Sequence, residues 1–290
     1  MTEENLPDLQ WFPGHMEKAR RMIKQHLKLV DAVVELLDAR APESSANPVL
    51  GKIIAAKPRL IVLNKADLAD PTRTKKWQAF FGAQGITAMP VDARTGRGVK
   101  EFIRAATELS RPATEKFTSG GGKARRPRLM VVGIPNVGKS SLINRLSGEK
   151  KTQTADRPGV TRNKQWISVG KYAELLDTPG VLWPKFEDRR VGLHLAFVGA
   201  IRDELFPAEE TALLLLDYLQ ENYVRALTTR YKLTGELPSG TAELLLLIGK
   251  KRGFLIKGGA VDTDKTARTV INEFRAGLLG RITLELPGEI

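Results

Sequence analysis

The chain has 290 residues and no cysteine, which excludes disulfide bonds, thiolate metal sites and cysteine nucleophiles. Its formal net charge is +13, and the excess of Lys and Arg lies within residues 1–205, which predicts an anionic partner such as nucleic acid, although an excess of charge can also serve solubility alone. No apolar run is long enough to span a membrane and the acidic first residues lack the pattern of a secretory signal, so we expect a cytoplasmic protein without a membrane partner.

Predicted helices and strands alternate over the first 109 residues. The spacing of Met22, Ile23 and Leu27 predicts an amphipathic helix over residues 17–29. Short apolar runs predict strands at 33–37, 59–63 and 86–91, and the segments between them predict helices at 47–56, 72–81 and 99–109. This alternation favours right-handed crossovers and a parallel sheet.

Residues 110–127 interrupt this pattern. They contain Pro112, three consecutive glycines and a basic run, which predicts a flexible linker. The alternation then resumes with strands at 129–132, 166–169 and 173–176 and a helix at 139–146, whereas the remaining chain predicts helices at 208–227, 240–249 and 264–279 and a short strand at 281–286. We therefore expect a mostly parallel α/β domain over residues 1–205 and a small helical domain over residues 206–290.

Residues 133–140, GIPNVGKS, follow an apolar strand and precede a helix, as a phosphate-binding loop does. In such a loop the backbone N–H groups converge on phosphates, Lys139 reaches the β- and γ-phosphates, and Ser140 ligates Mg²⁺. The predicted contacts of this loop are Pro135, Asn136, Val137, Gly138, Lys139, Ser140 and Ser141.

A second phosphate-side motif is DTPG at residues 177–180. At the end of a strand, Asp177 can hold a metal ion through water, and the N–H of Gly180 can meet the γ-phosphate. Thr161 is the best candidate for a further hydroxyl ligand of Mg²⁺, with Thr152 and Thr154 as open alternatives. DxxG alone is a weak pattern, but its position after a strand and after the phosphate loop strengthens the prediction.

Base specificity is predicted from NKAD, which contributes Asn64, Lys65 and Asp67. An ionised carboxylate accepts two hydrogen bonds from the N1–H and the amino group of guanine, and adenine offers no such donor pair, so GTP is predicted over ATP. After the next strand come Asp92 and Ala93, and the backbone N–H of Ala93 is placed to approach the base carbonyl. The alternative for this segment is a plain turn.

The order of these motifs is unusual, because NKAD precedes the phosphate loop. Together with WFPGHM at 11–16, DAR at 38–40 and LWPK at 182–185, this order closely resembles the bacterial ribosome biogenesis GTPase A (YlqF) family. The resemblance implies a circularly permuted P-loop GTPase domain followed by a helical RNA-binding domain. It also implies a GTPase that acts late in assembly of the large ribosomal subunit, with the subunit precursor and rRNA as partners and the particle stimulating hydrolysis. The oligomeric state stays open.

Four residues gain a meaning from the comparison with this family and with other GTPases. Val181 occupies the place where many GTPases have a glutamine that orients the attacking water, and an apolar side chain cannot do that. The family places a functional histidine in the WFPGHM segment, so His15 is expected to be catalytic together with Lys139, the alternative being a capping or packed histidine. Asn136 resembles the asparagine of potassium-dependent GTPases, which implies a K⁺ site. Asp92 departs from the serine of many members.

Basic residues are densest in residues 111–128 and 150–171, and each stretch holds six basic residues and one acidic residue. Few aromatic residues interleave with them, so we expect contact with RNA phosphates rather than base stacking. Neutralising Arg125, Arg126 and Arg128 is therefore expected to weaken RNA binding. Two other functions stay open: a binding module in which nucleotide occupancy alone switches RNA affinity, and a GTP-dependent RNA-modification factor, for which no second catalytic site is evident.

Overall fold

The computed structural model describes residues 13–148, 166–183, 186 and 188–289, with side chains from residue 17 onward. Its centre is a six-stranded sheet in the order β3-β2-β1-β4-β6-β5. The strands are β1 (Ala32–Asp38), β2 (Arg59–Asn64), β3 (Thr87–Val91), β4 (Arg128–Gly133), β5 (Trp166–Val169) and β6 (Ala173–Asp177). All neighbouring strands are parallel except β5, which runs antiparallel to β6. The prediction of a mostly parallel α/β sheet is confirmed.

The pairing of β1 with β4 explains how a permuted chain builds one sheet. β1 lies between β2 and β4, and each of its residues is buried, as expected for a central strand covered on both faces. The strands from the first half of the chain therefore extend the sheet on one side of β1, and those from the second half extend it on the other side. The carboxyl ends of β1, β2, β4 and β6 lie at one edge.

Helices cover both faces of this sheet. They are α1 (Pro13–Leu27), α2 (Pro42–Ser45), α3 (Pro48–Ile54), α4 (Pro71–Ala83), α5 (Val99–Ser119) and α6 (Lys139–Ser147). Phe102 of α5 and Leu142 of α6 belong to the hydrophobic cluster on one face, whereas Ile23, Leu50 and Trp77 belong to the clusters on the other face. No helix among the described residues is long and apolar enough to cross a membrane.

The carboxyl-terminal part of the chain is helical. It contains α7 (Arg189–Phe197), α8 (Ala208–Asn222), α9 (Val224–Tyr231), α10 (Thr241–Arg252) and α11 (Thr263–Arg275), with a 3₁₀ turn at Asp203–Leu205. Buried residues of α8, α10 and α11, such as Leu215, Leu244 and Val270, belong to the same hydrophobic cluster as the α5 and α6 face of the sheet. The division into domains at 205 and 206 stays a prediction, because this apolar cluster continues across it.

The last residues pack against the loops that follow β1 and β2. Ile282 N–H donates to Leu68 O at 2.9 Å, and Leu284 N–H donates to Arg40 O at 2.7 Å. The buried carboxylate of Glu285 accepts from the hydroxyl of Ser44 at 2.7 Å and lies 3.0 Å from Nδ1 of His194. These contacts join α2, α7 and the tail, in agreement with a structural role for His194.

Three predictions of local structure were wrong. Residues 110–119 continue helix α5 instead of forming a linker, because Pro112 lies on the exposed side of the helix, where water can satisfy the carbonyl that loses its N–H partner. Residues 281–286 form no strand, because the N–H groups of Ile282 and Leu284 bond to loop carbonyls and those of Thr283 and Leu286 bond to side chains. The helix predicted over 208–227 is two helices separated at Tyr223, whose backbone lies outside the helical region.

Candidate nucleotide-binding site

The predicted motifs meet at the carboxyl edge of the sheet. NKAD follows β2, the phosphate loop follows β4, DTPG begins at the end of β6, and Asp38 ends β1. β2 and β3 lie on one side of the β1 and β4 pair, and β5 and β6 lie on the other side, which makes this pair a switch point of the topology. Open α/β sheets bind their ligands in the crevice outside such a point.

The phosphate loop and the NKAD segment touch directly. The amide of Asn64 donates to Val137 O at 2.8 Å, and its Oδ1 accepts from the N–H of Ala93 at 3.2 Å. Gly138 has a φ of 98°, and a Cβ added there would lie 2.3 Å from Nδ2 of Asn64. Only glycine fits at this position. Through its two hydrogen bonds, the side chain of Asn64 joins the phosphate loop to the NKAD segment and to the loop of Ala93.

Lys139 is buried and carries the charge that the phosphate loop needs. Its ammonium group donates to Gly133 O at 3.1 Å and to Ile134 O at 2.7 Å. Burial lowers the pKa of Lys139 to about 8, and the carboxylate of Asp177 opposes that shift in part. A buried cation held by carbonyl oxygens has little charge compensation, so it fits an anionic ligand such as a phosphate.

Asp177 is the complementary feature on the metal side. Its Oδ1 atom is buried and has no hydrogen-bond partner among the described residues. Burial raises the pKa of this carboxyl group, against the effect of Lys139. An unpartnered buried carboxylate oxygen fits a metal ion or a metal-bound water. Ser140 follows Lys139 in the chain and lies in the first turn of α6.

Asp177 and Ser140 suit a Mg²⁺ ion that is also bound by phosphate oxygens. Among the described residues no group of three or more His, Asp or Glu side chains could hold a metal ion. Mg²⁺ commonly takes one or two protein carboxylates and completes its shell with phosphate oxygens and water. The donor set of Asp177 and Ser140 agrees with that chemistry.

The DTPG segment packs on the phosphate loop. A Cβ added to Gly180 would lie 2.8 Å from both N and Cα of Pro135, so glycine allows this close approach. The N–H of Val181 donates to Gly133 O at 3.2 Å, and the side chain of Val181 is buried in a hydrophobic cluster. The side chain of Asn47 donates to Val181 O at 2.9 Å. Sequence reasoning missed Asn47, whose only signal was its position before Pro48 at the start of a helix.

Asp92 acts within its own loop. Its Oδ1 accepts from the N–H groups of Arg94 at 2.9 Å and Thr95 at 3.1 Å, and its Oδ2 accepts from the Thr95 hydroxyl. Burial disfavours the charge, but these hydrogen bonds outweigh it and lower the pKa of Asp92. The residue that replaces the familiar serine therefore closes a turn, and the N–H of Ala93 is held by Asn64.

An arginine that sequence reasoning missed supports the same loop. Nε of Arg145 donates to Ala93 O at 3.2 Å, and its Nη2 contacts Arg94 O. Arg145 lies in the last turn of α6, the helix that follows the phosphate loop. Asp67 forms an ion pair of 3.2 Å with Arg94, whose side chain is 79% exposed. The exposed side chain of Arg94 therefore has room to move away if a nucleobase binds to the carboxylate of Asp67.

The DAR segment joins the NKAD motif to the carboxyl-terminal helices. Asp38 pairs with Lys65 at 2.9 Å and receives two hydrogen bonds from the guanidinium group of Arg40, at 2.9 and 2.8 Å. Burial opposes the charge on Asp38, but the two cations hold its pKa well below the usual range. Arg40 also donates to Val198 O and Arg275 O, and its guanidinium lies 5.4 Å from the ring centre of Phe274.

The remaining predicted residues fall into two groups. Asn136 adopts a positive φ of 56°, and its amide donates to Gly199 O at 2.9 Å, which leaves its oxygen as the atom that could face a cation. The side chain of His15 and the whole of Thr161, with the alternatives Thr152 and Thr154, lie outside the described residues.

Fold and site together define the class of protein. The site combines a phosphate loop, an acidic residue at the end of β6 and an NKAD segment in contact with that loop. This arrangement is typical of P-loop GTP-binding proteins. The base motif precedes the phosphate motif in the chain, so the domain is circularly permuted.

Comparisons with known proteins give the family. Residues 128–236 match the family model described as 50S ribosome-binding GTPase. The chain is 50% identical over 281 residues to ribosome biogenesis GTPase A of Bacillus cereus, covering 97% of this chain and 95% of that protein. It is 33% identical to ribosome biogenesis GTPase A of Thermotoga maritima, covering 97% and 96%. The GNP-bound structure of YlqF from T. maritima aligns with a TM-score of 0.63 at 29% identity, covering 94% of this chain and all of that one.

The chain belongs to the ribosome biogenesis GTPase A family and is a GTPase. The resemblance inferred from the sequence motifs is confirmed. Membership of this family assigns the chain a role in ribosome assembly.

Proposed function

We propose that this GTPase acts late in assembly of the large ribosomal subunit, binds the subunit precursor through rRNA in the cytoplasm, and hydrolyses GTP when it is bound there. The observation that carries the nucleotide part is the buried ammonium group of Lys139 together with the buried, unpartnered Oδ1 atom of Asp177, beside the NKAD segment. The ribosomal part is supported by the names of the relatives and by the positive charge of residues 1–205.

In this proposal the phosphate side of the site supplies positive charge and backbone donors. Lys139 and the N–H groups of residues 135–141 bind the β- and γ-phosphates, and the N–H of Gly180 contacts the γ-phosphate. Ser140, Thr161 and, through water, Asp177 would hold Mg²⁺, which neutralises charge on the phosphates when it is bound.

The base side gives specificity. Asp67 accepts two hydrogen bonds from guanine, and Lys65 lies along the base while Asp38 holds its ammonium group. Asn64, Asp92 and Ala93 shape the loop that faces the base carbonyl. A nucleobase with the opposite donor and acceptor pattern leaves the Asp67 carboxylate unpaired, which is costly in a partly buried site.

The attacking water needs a polar neighbour. The buried side chain of Val181 cannot provide one, so His15 is proposed to position water once the particle has bound. The oxygen of Asn136 is proposed as one ligand of a K⁺ ion near the phosphates. The helical domain over residues 206–290 is proposed to contact rRNA.

The test is co-sedimentation with large-subunit precursor particles in GTP, GDP and a non-hydrolysable GTP analogue, combined with multiple-turnover hydrolysis on the same particles. We expect tighter binding with the analogue than with GDP, and hydrolysis that is stimulated by the particle. Nucleotide-dependent binding without stimulation would favour the binding module, in which turnover is incidental. Equal binding in all three nucleotides would contradict both functions.

A further inference from the structure

The edge of the sheet opposite the nucleotide site carries an open groove of about 510 Å³. It lies between the end of α1, the end of α5 and the start of β4, and the residues that the structure describes in its lining include four cationic side chains and no acidic one. The four are Lys28, Lys123, Arg125 and Arg128. The seven residues of β1 separate this groove from the nucleotide edge by roughly 20 Å, so it belongs to a different surface.

The two arginines of the groove are held in place by the fold. Arg125 donates to both carboxylate oxygens of Asp31 at 2.8 Å, and its guanidinium lies 4.7 Å from the ring centre of Phe117. Arg128 pairs with Glu174 at 3.1 Å and lies over the ring of Trp166. Arginine side chains fixed in this way lose little conformational freedom when they bind a phosphate group.

The two lysines of the groove are different. Lys28 and Lys123 are exposed, and neither forms a salt bridge with another residue in the described part of the chain. The carboxylates of Asp31 and Glu174 are already paired with the two arginines of the groove. Among the described residues, this surface therefore has a positive charge that no ion pair compensates.

The basic surface extends beyond the groove. Arg126 pairs with Glu174 at 3.3 Å and donates to Gly170 O at 2.7 Å, at the turn between β5 and β6. In the same turn Lys171 lies over the ring of Tyr172, whose side chain is about half exposed. A run of cations along an open surface fits an extended polyanion better than a small enclosed anion.

We propose that this groove, lined by Lys28, Lys123, Arg125 and Arg128, binds the phosphodiester backbone of RNA on the side of the GTPase domain that faces away from the nucleotide. This rests on the proposed function, because it names a second surface for the same RNA partner. It also changes the prediction made from sequence. Neutralising Arg125, Arg126 and Arg128 removes ion pairs of the fold, so Lys28 and Lys123 are the cleaner probes.

The experiment compares Lys28→Glu/Lys123→Glu with a matched control, Lys75→Glu/Lys76→Glu, which makes the same charge change on the exposed side of α4. Binding of each full-length variant to large-subunit precursor particles and to a naked RNA duplex is measured from low to high salt. We expect roughly tenfold weaker binding of the groove variant at low salt and a salt slope reduced by about two. The control should bind like the wild type.

GTP affinity and intrinsic hydrolysis separate the groove from the nucleotide site, and both should stay at the wild-type level in the groove variant. The groove proposal would be overturned if the groove variant bound the particles and the naked RNA as tightly as the wild type does, with an unchanged salt slope. That result would leave the ribosomal function intact. If the wild type binds naked RNA but not the particles, the ribosomal function is contradicted. The comparison of the groove variant with the wild type on naked RNA then still tests the groove proposal. Absence of binding to either probe, or binding only to anionic vesicles, overturns the groove proposal too.

Discussion

The base side and the phosphate side of the nucleotide site differ in how their charges are compensated. On the base side Lys65 and Arg40 share the carboxylate of Asp38, and Asp67 is paired with Arg94. On the phosphate side Lys139 contacts carbonyl oxygens, and an oxygen of Asp177 has no partner in the described chain. The base side is thus organised by the protein alone, whereas the phosphate side is completed by the charges of the nucleotide and the metal ion.

Both sides of the nucleotide site contact the carboxyl-terminal part of the chain. Arg40 and Asn136 both donate to the segment after α7, at Val198 and Gly199. One of these contacts leads to the base motif through Asp38, and the other leads directly to the phosphate loop. A structural change at the base motif or at the phosphate loop can therefore reach the same segment. In the chain this segment lies between the DTPG motif and helices α8 to α11.

The largest expected effect comes from breaking the buried ion network. Arg40→Ala leaves Asp38 buried with a single cation, and loss of a buried partner typically costs about 3–5 kcal/mol. The free energy of unfolding in urea should fall by that amount. The matched control is Arg94→Ala, which also breaks an Arg–Asp pair but on the exposed surface, and it should change stability by less than about 1 kcal/mol. Equal losses in the two variants would contradict the distinction.

Removal of the phosphate-side cation should nearly abolish hydrolysis. Lys139→Ala takes away charge that stabilises the transferring phosphoryl group, and loss of one such group costs roughly 10²- to 10³-fold in rate. Multiple-turnover assays with saturating GTP measure the effect, with Lys75→Ala, a change at an exposed lysine of α4, as the control. A rate within a few-fold of the wild type would remove Lys139 from the phosphate site.

A smaller effect is expected at the base. Asp67→Asn replaces an acceptor with an amide and should lower GTP affinity by roughly 10²-fold, because two hydrogen bonds to a charged group are lost. Xanthosine triphosphate should gain affinity relative to GTP in a competition assay, since its donor and acceptor pattern suits the amide. Asp92→Asn is the control, because Asp92 bonds within its own loop and the guanine preference should persist. An unchanged preference in Asp67→Asn would exclude NKAD from the base site.

His15→Ala tests the group proposed to position water. The particle-stimulated rate should fall by roughly 10²-fold, a typical cost of losing a positioned catalytic group, and GTP affinity should stay the same because the contact belongs to the transition state. Intrinsic and stimulated rates are measured on the same variant. A normal stimulated rate would assign the water to another residue or to rRNA, and a loss of affinity alone would make His15 a structural support.

The sequence predicted what local patterns encode. Each nucleotide motif is a short segment between a strand and a helix, and Gly138 marks a backbone that only glycine accepts, so the motifs could be located without coordinates. The order of the motifs also revealed the permutation. The long extension of α5 was missed because Pro112 is a helix breaker on average, yet an exposed position tolerates it.

Contacts between distant segments could not be predicted in this way. Arg40 and Arg275 are 235 residues apart in the chain, and nothing in the periodicity of either segment indicates their contact. The support given by Arg145 to the Ala93 loop and by Asn47 to Val181 likewise depends on how the elements pack. The docking of the tail at Glu285 depends on tertiary structure for the same reason.

The most direct test of the central comparison is the pH dependence of stability of the nucleotide-free protein, wild type against Lys139→Met. Burial holds the pKa of Lys139 at about 8, below its ordinary value of 10.5, so the folded protein releases this proton at a lower pH than the unfolded chain does. The wild type should therefore gain about 3 kcal/mol relative to the variant as pH rises from 8 to 10.5, and most of that gain should disappear with bound nucleotide, whose phosphates compensate the charge. Parallel pH profiles of wild type and variant without nucleotide would show that Lys139 is already compensated and would contradict the account.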